Sequence, residues 1–187
     1  MIIAELLPKL PIVKKWIDDV LEKHEFNAKP VSTLGFARLP GYFSDELLKT
    51  AKYIPSQTIP VFPVSTLGIS GLSLHKKGEY AGITYNDRFF INLGKLRVEL
   101  VHFHELIHVL QWRYLGVDKF IVAYALEIVN GGSQNNRFEQ MAYRHQDQFN
   151  KTTKPYDVER EIKKELDMLV PMILTSEILK SIGSLKS

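Results

Sequence analysis

The stretch from Leu96 to Leu115 constrains this chain more than any other segment. It reads LRVELVHFHELIHVLQWRYL, is apolar nearly all round a helical wheel, and is followed by Gly116 as a terminator. A helix of that kind belongs at the centre of a fold. Yet it carries His104, Glu105 and His108 in its middle, and buried ionisable groups are costly unless they are paired or bound to a metal. Positions i and i+4 share one helix face, so both imidazoles can reach a single ion. Glu105 stands one residue along from His104, beside such an ion rather than on it, placed to take a proton from a water. The chain has no cysteine, which excludes disulfides, thiolate metal sites, iron–sulfur clusters and thiol nucleophiles. A metal must therefore be held by His, Asp or Glu. Neutral imidazole suits zinc, and a three-ligand site leaves a position for water. The expectation is one Zn2+ per chain.

Around that helix the sequence reads as an α+β fold dominated by helices, with a small sheet or hairpin beside the central helix. Ile12–His24 is amphipathic, with Ile12, Val13, Trp16, Ile17, Val20 and Leu21 on one stripe. Ser44 before Asp45 and Glu46 marks the start of a short helix over Asp45–Tyr53. Ile54–Leu74 contains Pro55, Pro60, Pro63, Gly68 and Gly71 and reads as an extended, looping segment. The hexapeptide Pro-Val-Ser-Thr-Leu-Gly occurs at Pro30–Gly35 and again at Pro63–Gly68 with unmatched flanks, as a coincidence or two similar turns rather than a repeat architecture. Glu79–Asn92 carries the strong strand signal: Tyr80, Ile83, Thr84 and Tyr85, then Phe89, Phe90 and Ile91, with Asn86-Asp87 as the turn.

Further helices are expected over Val117–Val129, Asn135–Phe149 and about Asp157–Leu169, the last with Glu159 placed to pair with Lys163. The whole, 1–187, is read as one domain with its core at about 80–150. Residues 1–75 add N-terminal helices and the Pro-rich segment, and 156–187 a C-terminal helical extension.

The 24 basic and 21 acidic residues leave a formal charge of +3 and are interleaved, which argues against a nucleic-acid partner. The N-terminal MIIAELLPKLPIVKKW is broken by Glu5, Pro8, Lys9 and Pro11, and no apolar run approaches the roughly 20 residues of a membrane span. Met168–Leu174 contains Pro171 and reads as a buried or interfacial segment. The expectation is a soluble, cytoplasmic protein.

A third ligand is needed. Gln111 and Tyr114 stand where the metzincin pattern has Gly and His, so that continuation is absent. The candidates are His75, His102, Asp118, Glu127, Glu139 and His145. His102 points to another side of the central helix, Asp118 lies past its far end, and Glu127 reads as a solvent-facing charge. Glu139 is favoured, because its helix follows a Gly-Gly-Ser turn and small Ala142 allows close approach to the central helix. Four groups have the chemistry of an oxyanion donor: Tyr124, Tyr143, Tyr85 and His145. Gln111 falls near the metal face, and Trp112 reads as core.

His-Glu-Leu-Ile-His-Val-Leu-Gln-Trp, followed about thirty residues later by Asn-Arg-Phe-Glu-Gln-Met-Ala-Tyr, resembles the gluzincin group of zinc metallopeptidases. It is most similar to small bacterial members with an H-E-x-x-H-x-x-Q helix and an N-x-x-E-x-x-A helix. The likeness covers roughly Tyr80–Phe149. It implies His104, His108 and Glu139 as ligands, Glu105 as general base and later acid, and a peptide or protein substrate. It also implies that the strand near Ile83–Ile91 is an edge along which an extended peptide lies. Thermolysin-like enzymes carry an Asp four residues after the ligand Glu, as partner for the first zinc histidine; here Tyr143 stands there and brings no charge. The alternative reading is a non-catalytic, zinc-binding regulatory or interaction protein on the same scaffold.

Overall fold

The computed structural model describes residues 2–69, 72, 80–132 and 135–184. Helices α1 (Ile2–Leu6) and α2 (Leu10–His24) lead into a two-residue strand β1 (Lys29–Pro30). Then come α3 (Asp45–Thr50), β2 (Lys52–Ser56), and the hairpin β3 (Gly82–Tyr85) and β4 (Arg88–Asn92). Among the described residues, helices α4 (Glu99–Leu115), α5 (Val117–Gly131), α6 (Arg137–Lys151), α7 (Val158–Ile173) and α8 (Ser176–Gly183) follow. The fold is α+β and helix-dominated, with one mixed sheet in the order β1-β2-β4-β3.

α4 is the central element, packed on β3, α5, α6 and α7. Phe103, Leu106, Ile107 and Val109 are fully buried, as an all-round apolar helix requires. Gly116 at φ +73 ends α4 and, without a break, begins α5; Gly132 at φ +74 ends α5. These positive-φ junctions mark the ends of α4 and α5, and they are positions where glycine carries no Cβ penalty.

The hairpin forms as expected, with Tyr85 opposite Arg88 and Asn86 at φ +59 in the turn. The sheet is larger than the sequence suggested. The helix opened by Ser44, whose side chain accepts from the Leu47 N–H, stops at Thr50 rather than Tyr53. Lys52–Ser56 becomes a strand parallel to β4, so Tyr53 and Ile54 are buried in the sheet layer instead of lying in a helix end and a loop. Pro55 is tolerated because β1 pairs only with Lys52 and Tyr53. Long-range pairing overrode the local breaker signal.

Each copy of the hexapeptide makes the same 3-10 turn. Val31–Leu34 ends at Gly35 with φ +64, Val64–Leu67 at Gly68 with φ +62. Thr33 and Thr66 each donate to the proline carbonyl three residues back at 2.7 Å. Identical local chemistry gives identical local structure.

At the other end, α7 continues through Pro171; Ile173 and Leu174 are buried while Met168 and Met172 face outward. The expected Glu159–Lys163 pair is not made: Glu159 accepts from the Ser44 N–H, and Lys164 pairs with Glu161 instead. Among the described residues no helix is long and apolar enough to cross a membrane.

Candidate metal centre

His104 and His108 stand one turn apart on α4, with their Nε2 atoms 3.1 Å from each other. α6 crosses this face and supplies Glu139, whose Oε2 lies 3.6 Å from His104 Nε2 and whose Oε1 lies 3.4 Å from His108 Nε2. The three donor groups converge within 4.8 Å of one another, and this buried cluster is able to hold a metal ion. Fully buried Ala142 lets α6 approach α4, and the Asn136 side chain caps α6 by accepting from the Phe138 N–H at 2.9 Å.

Each ligand candidate except His104 is held by a neighbour. His108 Nδ1 meets Gln111 Oε1 at 2.8 Å, while the Gln111 amide donates to the Phe138 carbonyl at 3.0 Å. Gln111 is thus a strut: its oxygen takes the Nδ1–H, which leaves Nε2 as the donor atom facing the cluster, and its nitrogen grips the helix that brings Glu139. Tyr124 on α5 donates its hydroxyl to Glu139 Oε1 at 2.8 Å. His104 Nδ1 is buried with no hydrogen-bond partner, and Tyr143 lies with its ring centroid 4.6 Å from that imidazole. At position 143 the structure places a tilted ring contact and not a hydrogen-bonded partner.

The charges are strongly coupled. Burial pulls the His108 imidazole down, but the Glu139 carboxylate outweighs it and raises the group to about 9. Burial pushes Glu139 up, and the two histidines override it, holding the carboxyl well below the usual range. Protonated His108 and ionised Glu139 thus favour each other, so a cation bound between them would compete with that proton.

Glu105, only 4% exposed, turns away from the cluster's centre toward β3, where Thr84 Oγ1 donates to its Oε2 at 2.6 Å. Burial raises its pKa, opposed by His104, His108 and the Thr84 hydroxyl. A carboxylate in that setting is a competent proton acceptor beside the cluster.

The other sequence candidates fall elsewhere. His102 packs among Phe36, Tyr53 and Phe89, with its Nε2 on the Leu96 carbonyl at 2.9 Å; burial drives it down to about 4, so it is a neutral core residue. Asp118 pairs with Lys14 at 2.7 Å. Glu127 is buried rather than solvent-facing: burial raises it, but two bonds to the Arg137 guanidinium, at 2.8 and 2.7 Å, bring it below the ordinary value. His145 is buried between Tyr156 and Glu165, away from the cluster. Tyr85 donates to the Pro60 carbonyl, and Trp112 stacks on Phe120 in the core. His75 lies outside the described residues.

Sequence reasoning missed two contributors. Thr84 shows only strand propensity in the sequence, although with Gly82 it shares one face of β3. Tyr80, just before β3, is raised first by burial and then by Glu139, which marks it as a neighbour of that carboxylate. A groove of about 890 Å³ lined by residues including Tyr156, Arg113 and Leu166 shares no residue with the cluster. No family model, curated protein or solved structure matches the chain. The fold and site therefore stand on their own geometry: a helix-dominated α+β protein whose central helix builds a His-His-Glu cluster with a buried glutamate beside it.

Proposed function

We propose that the chain is a cytoplasmic, zinc-dependent metallopeptidase-like hydrolase. One observation carries the reading: the spacing of the three donors. Ligands at about 2.0–2.1 Å around a tetrahedral zinc stand roughly 3.4 Å apart. Here the two Nε2 atoms are 3.1 Å apart, and Glu139 sets one oxygen 3.4 Å from His108 Nε2 and the other 3.6 Å from His104 Nε2. The set of two imidazoles and one carboxylate is also the chemistry of a catalytic zinc site, which keeps a fourth position open.

In this reading His104, His108 and Glu139 hold the ion, which when bound supplies Lewis-acid polarisation of a carbonyl and of water. Glu105 takes the proton of the attacking water and returns it to the leaving amine. Gln111 keeps the His108 tautomer, and Tyr124 fixes the rotamer of Glu139. The substrate is a peptide or protein, its extended backbone lying along β3, which is the edge of the sheet among the described residues. The likeness to gluzincins supports the same roles. The non-catalytic alternative gains nothing from Glu105, a buried carboxylate that a purely structural site does not need.

Elemental analysis of the wild type beside His108→Ala and Glu139→Ala is the test. One zinc per wild-type chain is expected, lost in the first variant and weakened in the second. A peptide-library screen then follows with Glu105→Gln as the inactive control, expected to lose about 10²–10⁴-fold in turnover. No zinc in the wild type after supplementation overturns the metal reading. Zinc without any Glu105-dependent cleavage overturns the enzyme reading.

A further inference from the structure

Strand β3 meets the site through a glycine and a threonine two positions apart, and both touch the same carboxylate. A Cβ built on Gly82 would stand 2.6 Å from Glu105 Oε1, 2.8 Å from its Cδ and 3.0 Å from its Cγ. No side chain other than hydrogen fits there while Glu105 keeps its place. Thr84 Oγ1 donates to Glu105 Oε2 at 2.6 Å and also lies 3.3 Å from the Glu105 backbone carbonyl. Gly82 is half-buried, Thr84 buried, and neither contact has an obvious role in the fold: a valine at 84 and an alanine at 82 would suit a strand better.

The hydrogen-bond register of the hairpin adds a second point. The Asn92 N–H donates to the Ala81 carbonyl at 2.9 Å, and Ile83 stands opposite Phe90. In an antiparallel pair such residues alternate, so Ala81, Ile83 and Tyr85 bond to β4 while the backbone groups of Gly82 and Thr84 point to the outer edge. The residues that hold Glu105 are the ones whose N–H and C=O groups an incoming strand would meet.

We infer that Gly82 and Thr84 form a socket that aims Glu105 from the strand already assigned to the substrate backbone. The inference rests on the metallopeptidase reading for its catalytic meaning, but the socket itself is a property of the metal-free chain. Thr84 is a positioning residue: its single proton goes to one carboxylate oxygen and leaves the other for the water. The close approach at Gly82 fixes the depth at which the carboxylate sits.

Two experiments test it. The first is a thermal double-mutant cycle on the metal-free protein with Gly82→Ala, Glu105→Ala and the double variant. Gly82→Ala is expected to lower Tm by roughly 5 °C alone and to be near neutral when Glu105 is already Ala. If Gly82→Ala does not fold, recovery of folded protein by adding Glu105→Ala makes the same point. An equal penalty in both backgrounds, or no rescue of folding, overturns the socket.

The second compares Thr84→Val and Thr84→Ser in the zinc-loaded protein. Valine is expected to lower kcat about 10²-fold with KM and zinc content unchanged, and serine to restore it toward the wild type. An unchanged kcat in Thr84→Val, a loss of zinc in step with kcat, or no rescue by serine overturns the positioning role. A wild type that cleaves no peptide sinks the metallopeptidase reading instead, and the thermal cycle then decides the socket alone.

Discussion

Helix α6 carries two buried His–Glu arrangements, and they are built differently. On one side Glu139 faces His104 and His108; on another, His145 lies between Tyr156 and Glu165. The His145 ring is saturated: Nδ1 meets the Tyr156 hydroxyl at 2.7 Å and Nε2 meets Glu165 Oε1 at 2.9 Å, both ordinary hydrogen bonds. Around Glu139 the nitrogen-to-oxygen separations are 3.4 and 3.6 Å, too long for good hydrogen bonds and right for atoms that share a common centre. The His145 arrangement ties α6 to α7. The Glu139 arrangement is a set of donors aimed at one point. Residue types alone do not separate a polar strut from a ligand site; the distances and the partner of each ring nitrogen do.

That contrast breaks if substitutions on the two sides behave alike. The largest difference is expected between His108→Ala and His145→Ala. The first abolishes metal binding and leaves the apo protein folded, whereas the second keeps one metal per chain and costs about 2 kcal/mol, because it removes the ring's bonds to Tyr156 and to Glu165, which keeps its pair with Arg144. Paired titrations with zinc and urea melts would read both. Metal lost equally from both variants would show that the two clusters are one network.

A pH series sharpens the same distinction. His108 is raised from 6.5 to about 9 in the folded chain, so its pairing with Glu139 stabilises the apo protein fully below 6.5 and loses that effect as pH climbs through about 9. Metal binding displaces that proton, so affinity is expected to rise about tenfold per pH unit over the same window. Apo stability and metal affinity should therefore slope in opposite directions, which calorimetry with and without zinc would show. Parallel slopes would remove His108 as the competing base.

Smaller effects follow from the groups around the ligands. Gln111→Ala frees the His108 tautomer and detaches α6, and is expected to weaken zinc binding about 10–100-fold. Tyr143→Asp offers an acceptor to His104 Nδ1, which has none now, and is expected to tighten binding about tenfold. An aspartate that leaves affinity unchanged would mean the Nδ1 proton needs no partner, and competition with a chromogenic chelator would detect either result.

Much of this was legible in the chain. The burial of α4, the shared face of His104 and His108, the hairpin turn at Asn86-Asp87 and the caps at Ser44 and Gly116 follow from periodicity and local chemistry, which act within a few residues. Glu139 is favoured among six ligand candidates by its helix and by Ala142, while the crossing of α6 over α4 is what brings it within 3.6 Å of both histidines. Glu127 is buried because Arg137 pairs with it, and Tyr53 leaves the helix because its strand pairs with β4. Thr84 and Gly82 carried no signal beyond their strand, because their partner lies on a different element.

The sequence by itself determined which helix is buried and which ionisable pair shares its face, since hydrophobic period and i,i+4 spacing are written in the order of residues. Only the tertiary structure decided how closely Glu139, favoured from the sequence, approaches the two histidines, and what aims Glu105. Those depend on the approach of α6 and β3 to α4, contacts between residues 20 to 35 positions apart that no local pattern encodes.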